Sequence, residues 1–312
     1  MHCLVTGVAG FIGSSIAERL IGEGHNVIGV DCFTDYYSRE IKESNIAGLK
    51  NEKRFELIEA DLVKLDLNNI LKNVSVVFHQ AAQAGVRASW GSYFETYIAH
   101  NITATQKLLE SAKQFTNIQK IVYASSSSVY GDAESFPTSE KMVPKPVSPY
   151  GVTKLAAEHL MCLYSKSYGL PTCSLRYFTV YGPKQRPEMA FSKFITAALK
   201  KEKLLVYGDG TQSRDFTFID DIVEANILAS KKGTNGGVYN IGGGVVASLK
   251  DVFAILTDLI GTLDIEYTEK QRGDAYHTSA DTSLAKAELG FSPKVSLAEG
   301  LKRQTDWIRS KI

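Results

Sequence analysis

Short apolar runs alternate with longer stretches of helical period through the first half of the chain. The runs are His2–Thr6, Asn26–Asp31, Phe55–Glu59, Val74–Gln80, Ile118–Ser125 and Thr172–Tyr177. Most are continuously apolar, the pattern of strands buried on both faces. Between them, Phe11–Ile21, Thr96–Phe115 and a stretch opening at Tyr150 repeat apolar residues every three or four positions, as amphipathic helices do. The third of these has clear ends. Ser148 suits an N-cap and Pro149 the first helical position, where no backbone N–H is needed. The apolar pattern continues through Leu155, Leu160, Leu163 and Tyr164, which predicts a helix to Tyr168, ahead of Gly169 and Pro171. The alternation predicts an α/β fold, a doubly wound parallel sheet with helices on both sides.

After Tyr177 the rhythm changes. Gly182-Pro183, Arg186-Pro187, Gly208-Asp209-Gly210 and Gly242-Gly243-Gly244 punctuate shorter elements. This predicts a smaller, irregular second domain. Val238–Ile241 reads as one more strand that returns to the main sheet. The expected division is residues 1–178 with about 214–245 in the first domain, and 179–213 with 246–312 in the second.

Composition narrows the class. The 35 basic and 34 acidic residues nearly cancel, so net charge does not steer the chain to nucleic acid or to a membrane. Cys3, Cys32, Cys162 and Cys173 have neither C-x-x-C nor disulfide-framework spacing and read as reduced packing residues. No apolar run approaches the ~20 residues that span a bilayer. The chain enters its first strand at Cys3, which leaves no room for a signal peptide. A soluble cytoplasmic protein is expected, with no metal site.

Candidate chemistry gathers where strands end. The first strand runs into Thr6-Gly7-Val8-Ala9-Gly10-Phe11-Ile12-Gly13. Glycines three apart, between a strand and a helix, let the backbone approach a diphosphate that the helix N-terminus then binds. Asp31 ends the second strand, where a carboxylate accepts hydrogen bonds from ribose hydroxyls and repels a 2′-phosphate. Cys32 and Phe33 offer no arginine for such a phosphate, so the expected cofactor is NAD rather than NADP. Asp61, after the third strand, is placed either to face the adenine amino group or to cap a helix. His79-Gln80-Ala81-Ala82 follows the fourth strand, its small alanines allowing close passage of a cofactor. His79 itself reads as a structural histidine, and Asn101 as a residue that fixes loops near the nicotinamide.

The fifth strand ends in Ser125-Ser126-Ser127-Ser128, a polar shelf on which one hydroxyl shares a proton with Tyr150. Tyr150 and Lys154, four residues apart, share a helix face. A free tyrosine titrates near ~10, and a cation held beside it favours the phenolate. Such a tyrosine exchanges a proton with a substrate hydroxyl.

With these residues in place the chain resembles the extended short-chain dehydrogenase/reductases, in their nucleotide-sugar epimerase branch. TGVAGFIG, Asp31, Asp61, HQAA, SSSSVYG, YGVTK, LRYFTVYGP, GDGTQSRDF and RGDAYHTSAD occur in that family's order and cover essentially the whole chain. The resemblance implies a Rossmann-type domain holding NAD and a C-terminal cap for a nucleoside diphosphate sugar. It also implies a homodimer built on the Tyr150 and Thr96–Phe115 helices. Tyr150 is then the acid/base, Lys154 the ribose ligand and phenolate support, and Ser126 the hydroxyl partner. Leu62, Gln80, Ala81, Ala82, Asn101 and Tyr177 are further implied around NAD. Arg214 and Arg272 match diphosphate-binding arginines, Tyr207 matches a uracil-stacking aromatic, and Lys193 and Asp274 are implied substrate contacts.

Departures within the branch point to the chemistry. Dehydratases of this kind carry Thr-Asp-Glu before Val-Tyr-Gly, and decarboxylases Thr-Ser-Glu. Ser126-Ser127-Ser128 has no carboxylate, which implies reversible removal and return of hydride instead. Thr179 replaces the asparagine common in UDP-galactose epimerases, and FTVYGPKQRPEMA resembles UDP-glucuronate 4-epimerases. The implied reaction is 4-epimerisation of UDP-glucuronate through a 4-keto sugar. Ser127, Ser128 and Thr179 are the expected carboxylate donors, Arg186 the nearby cation and Arg87 a second candidate. The alternatives are a UDP-glucose/UDP-galactose or N-acetylhexosamine 4-epimerase, a UDP-glucuronate decarboxylase, or a non-catalytic nucleotide-sensing module.

Overall fold

The apolar runs pair side by side in the computed structural model of the chain, which describes residues 1–269 and 277–312. Among these residues β1 (His2–Thr6), β2 (Asn26–Asp31), β3 (Phe55–Glu59), β4 (Val76–His79), β5 (Lys120–Ser126) and β6 (Thr172–Tyr177) lie in one parallel sheet. Alternate residues face opposite sides. Cys3, Val5, Val76, Phe78 and Val122 pack against Ile16, Ala17 and Leu20 of the first helix, Phe11–Gly22, and Ile222 and Ala225 of the helix Ile219–Lys232. Leu4, Val77, Ile121 and Tyr123 pack on the other side against Leu108 and Leu109 of Ala104–Ala112 and Ala157 and Met161 of the central helix, Pro149–Tyr168. Burial on both faces is why these strands read as continuous apolar runs.

The ends of the central helix follow from its sequence. Ser148 Oγ accepts the Gly151 N–H at 3.1 Å, Pro149 occupies the first turn, and Gly169 closes the helix in the left-handed region at φ 69°. The Thr96–Phe115 stretch departs from a continuous α-helix. It is α-helical over Phe94–Tyr97, widens into a π-turn over Ile98–Thr103, and resumes at Ala104–Ala112. Asn101 sits in that turn, where its side chain bonds both backbone groups of Gln83 (2.8 and 3.1 Å) and the Thr153 hydroxyl (2.9 Å). Periodicity does not separate an α-turn from a π-turn one residue wider.

Beyond β6 lie β7 (Thr179–Tyr181), β8 (Leu204–Tyr207), β9 (Ser213–Phe218), β10 (Gly237–Ile241), β11 (Val246–Ser248) and β12 (Ile265–Thr268). β10 returns to the main sheet beside β6, completing the order β10-β6-β5-β4-β1-β2-β3. β9 instead joins β7 and β11 in a three-stranded sheet, and β8 pairs with β12. The buried Asp215 ties these parts together, accepting the Gly243 N–H at 2.6 Å and the Ala280 N–H at 3.0 Å. No helix among the described residues is long and apolar enough to cross a membrane.

The strand order reverses direction at β1. The chain leaves β1 toward β2 and later comes back on the opposite side as β4. The loops after these two neighbouring strands diverge and open a crevice at the carboxyl ends of the strands.

Candidate active site

A cavity of about 430 Å³ occupies that crevice. Its floor is the glycine loop, which lies against the chain after β4. Gly7 has φ 68°, and a Cβ there would stand 2.8 Å from Ala81 Cα and N. A Cβ on Gly13 would stand 2.2 Å from the Gly7 carbonyl oxygen. Both contacts are too close for any other residue, so the first turn of the first helix reaches the cavity wall. No side chain caps that helix, and Phe11, Ile12 and Gly13 line the cavity. Its N-terminal N–H groups form a site for an anion.

Asp31 borders the same floor. Its Oδ2 accepts the Ala9 N–H at 3.0 Å and its Oδ1 the Phe33 N–H at 2.9 Å. Burial pushes the carboxyl up, and the two backbone donors pull it back. Asp61 lines the cavity and caps a turn rather than a helix, accepting the Val63 N–H at 2.9 Å, since the next helix starts only at Asn68. A glycine cradle that a Cβ would fill, an uncapped helix end and a buried carboxylate fit an adenine dinucleotide with free ribose hydroxyls.

Behind the loop after β4, His79 holds a single tautomer. Thr105 Oγ1 donates to the Asn101 carbonyl at 2.6 Å, so it accepts from His79 Nε2–H at 3.0 Å. His79 Nδ1 is then the acceptor for the Thr6 hydroxyl at 2.8 Å. Full burial, with the Lys154 charge nearby, pushes His79 down to about 3 and keeps it neutral. Gln80, Tyr177 and Asn226 close a second ring. Asn226 Nδ2 donates to Tyr177 at 2.7 Å, Tyr177 to Gln80 Oε1 at 3.2 Å, and Gln80 Nε2 to Asn226 Oδ1 at 3.1 Å. Gln80, Ala81, Ala82, Leu62 and Tyr177 all line the cavity, whereas Asn101 stands behind it as the brace described above.

Tyr150, Lys154, Ser126, Ser127, Ser128, Thr179 and Arg186 meet at the other end. The central helix carries the first two, the end of β5 and the turn Ser127–Val129 the serines, and β7 the threonine. Ser126 Oγ accepts the Ser128 N–H at 3.1 Å and bonds the Tyr150 hydroxyl. Burial pushes the Tyr150 phenol up, while the Arg186 guanidinium and the Ser126 hydrogen bond pull it down. The buried Lys154 ammonium lies 4.5 Å over the Tyr123 ring, and burial pushes it down to about 7 against the field of Glu158. Arg186 pairs with Glu188 (3.1 Å) and stands 5.8 Å over the Tyr36 ring. Its loop is anchored from the C-terminal helix: Gln304 Oε1 accepts the Gly182 N–H at 3.0 Å, and Gln304 Nε2 donates to Gln185 at 2.9 Å. A phenol with a hydroxyl partner and two cations nearby can exchange a proton with an alcohol.

Four other candidates lie outside the cavity lining. Arg87 is stacked on Tyr207, 4.9 Å from the ring centroid, which places it at β8 rather than at the serine shelf. Arg214 Nη1 donates to the Ser213 carbonyl at 2.9 Å, and Lys193 is exposed on the helix Ala190–Lys200. Arg272 and Asp274 lie outside the described residues.

Sequence reasoning missed Tyr36, Tyr37 and Lys42, which line the cavity near Asp31. Two adjacent tyrosines just after a strand that ends at a binding crevice were a usable signal. Lys42 had none. It reads as a surface charge on the short helix Arg39–Asn45, yet it is buried, bonds Thr34 Oγ1 at 3.2 Å and lies 4.7 Å over Tyr37.

Known proteins share this arrangement. The NAD dependent epimerase/dehydratase family matches residues 3–242. The chain is 44% identical over 313 residues to a Bacillus subtilis (strain 168) protein named an uncharacterized UDP-glucose epimerase, YtcB, covering 99% of this chain and 98% of that one. It is 42% identical over 317 residues to a UDP-glucuronate 4-epimerase of Thermodesulfobacterium geofontis (strain OPF15), covering 100% and 97%. A crystal structure of UDP-glucuronic acid 4-epimerase from Bacillus cereus, in complex with UDP-glucuronic acid and NAD, superposes with a TM-score of 0.96 at 42% identity over 100% of both chains.

The glycine contacts define a test. Gly13→Ala is expected to weaken NAD binding roughly tenfold or more, read by titrating the protein's fluorescence with NAD. Gly22→Ala, with nothing within 4 Å of its Cβ, is expected to bind as the unmodified protein does.

Proposed function

This chain belongs to the NAD dependent epimerase/dehydratase family, and on that premise we propose that it converts UDP-glucuronate to UDP-galacturonate by NAD-dependent 4-epimerisation. The observation that carries the reading is the lining around Tyr150. Ser126, Ser127, Ser128 and Thr179 supply hydroxyls and Arg186 a cation, and no acid is among the described lining residues of that end; Glu188, the partner of Arg186, stands outside the lining. A 6-carboxylate beside a 4-keto group is a β-keto acid and tends to lose carbon dioxide. Hydroxyl donors hold that carboxylate in place without bringing a second negative charge to it. The relatives named UDP-glucuronate 4-epimerases support the same substrate.

The cofactor would supply one chemistry when bound, reversible uptake of hydride from C4 of the sugar. The glycine loop, the first-helix N-terminus, Asp31 and Asp61 are the groups that hold its adenosine and diphosphate. Tyr150, as phenolate, takes the 4-hydroxyl proton and later gives it back, sharing it with Ser126. Lys154 and Arg186 favour the phenolate over the phenol that burial alone selects. Ser127, Ser128, Thr179 and Arg186 orient the keto sugar so that it presents either face. Arg214, Arg272, Tyr207, Lys193 and Asp274 are assigned to the UDP half, with Arg87 beside Tyr207. The division into a cofactor domain and a sugar-nucleotide cap follows from the same reading.

The second reading is UDP-glucose/UDP-galactose 4-epimerisation, favoured by the relative named a UDP-glucose epimerase. A neutral 6-hydroxyl needs no such set of donors. The protein is further assigned to the cytoplasm as a homodimer. Ile98, Val152, Leu163 and Tyr168, all exposed apolar residues on the two helical stretches expected at the interface, support the dimer.

Product analysis after incubation with each sugar nucleotide tests the reaction. The expected result is faster turnover of UDP-glucuronate, abolished in Tyr150→Phe with NAD still bound; equal or faster turnover of UDP-glucose by the unmodified protein overturns it. Thr179→Ala is expected to lower kcat/KM for UDP-glucuronate about tenfold or more, the loss of one hydrogen bond to a charged group, and residual action on UDP-glucose by less. Light scattering is expected to return twice the 34.2 kDa chain mass, and a value of one chain mass removes the dimer.

A further inference from the structure

One helical turn beyond Lys154, an ion pair is sealed out of solvent. Glu158 and Arg176 expose only 2% and 6% of their side chains. Arg176, on β6, donates twice to the carboxylate, from Nη2 to Oε1 at 2.6 Å and from Nε to Oε2 at 3.0 Å. Ser125, which precedes the shelf serine Ser126, donates to Oε2 at 2.6 Å. The free corner of the guanidinium donates from Nη1 to the Tyr130 hydroxyl at 2.6 Å, and Tyr130 passes a hydrogen bond to Asn240 on β10 at 2.8 Å. The carboxylate is thus held by one helix and two neighbouring strands.

Stability alone gives little reason for such a pair. Replacing a buried ion pair by well-packed apolar residues is often neutral or stabilising. Its location gives a better one. Glu158 follows Lys154 at the four-residue spacing that stacks side chains on one helix face, and both are buried on it. The titratable groups around the ammonium are Tyr150 on its own helix, Tyr123 on β5, 4.5 Å below it, and the neutral His79 on β4. Tyr123 and His79 carry no charge, and Tyr150 is an anion only in the phenolate form that Lys154 supports. Among the described groups, Glu158 is the carboxylate that acts on Lys154. Arg176 holds that carboxylate from β6, the strand beside β5.

We infer that Glu158 is a positioning residue for the reaction: pinned by Arg176 and Ser125, it supplies the counter-charge that keeps Lys154 a cation beside Tyr150. The inference rests on the epimerase reading, in which that cation favours the phenolate. Its consequence has a sign. Burial already pushes Lys154 down to about 7, and Glu158 opposes that push. Without the carboxylate, Lys154 loses its proton at lower pH, and the alkaline fall in turnover begins earlier.

The test compares kcat against pH for the NAD-bound unmodified protein, Glu158→Gln, and the double variant Glu158→Gln/Arg176→Gln. Glu158→Gln keeps the shape but leaves the Arg176 charge unopposed. Its alkaline limb is expected to move to lower pH by about one pH unit or more, which lowers kcat on that limb about tenfold with KM little changed. The double variant restores a neutral, hydrogen-bonded amide pair, so its limb is expected between the other two. A purely structural role predicts lower amplitude or raised KM with the limb unmoved, and either result overturns the inference. So does a double variant shifted further than the single one. Should Glu158→Gln alone fail to fold, an unmoved limb in the double variant decides against it. Turnover of the unmodified protein is read first, and its absence refutes the epimerase reading itself.

Discussion

The contact on which the rest of this structure depends is between two pieces of backbone. The loop leaving β1 and the loop leaving β4 meet with no side chain between them, because Gly7 lies where a Cβ would stand 2.8 Å from Ala81. That approach lets the first helix begin at the wall of the crevice rather than above it. It also places Asp31, at the end of the neighbouring strand, where its carboxylate accepts an N–H from Ala9 in the same loop. One packed backbone junction therefore positions the first helix's N-terminal dipole end, its free N–H groups and the Asp31 carboxylate together.

Around that junction the fold resolves a conflict between burial and polarity. A buried polar group left unpaired costs roughly 1–3 kcal/mol, yet the chemistry needs hydroxyls, amides and charges below the surface. The solution is connected hydrogen-bond networks. Thr6, His79, Thr105 and Asn101 form one, Gln80, Tyr177 and Asn226 another, and Ser125, Glu158, Arg176, Tyr130 and Asn240 a third. Each links a strand end to a helix or a second strand. Rigidity at the strand ends comes from the same bonds that remove the desolvation cost.

The sugar end differs from the cofactor end in kind. Near Asp31 the site is built from main chain and tolerates little change. Near Tyr150 it is built from side chains on separate elements, and its character is set by which of them carry charge. Hydroxyls form the shelf, and the cation Arg186 sits on a loop anchored by Gln304. A carboxylate in place of Ser128 would bring like charges together at that point.

Local chemistry determined much of this protein in the sequence itself. The strand runs, the Ser148 and Gly169 ends of the central helix, the glycine turn and the Tyr150–Lys154 spacing each depend on neighbours within a few residues. Sequence displays such relations directly. The shelf serines and Thr179 were also legible, because they stand at or just past the carboxyl ends of β5 and β6, and such ends in a parallel sheet border the crevice. Tertiary structure decided what depends on contacts between distant segments. It widened one helix into a π-turn so that Asn101 reaches Gln83 and Thr153, and it buried Lys42 beside Tyr37. It stacked Arg87 on Tyr207 and put the fields of Arg186 and Glu158 on Tyr150 and Lys154. Electrostatic influence follows distance in space and the exclusion of water, and neither is recorded in the spacing of residues along a chain.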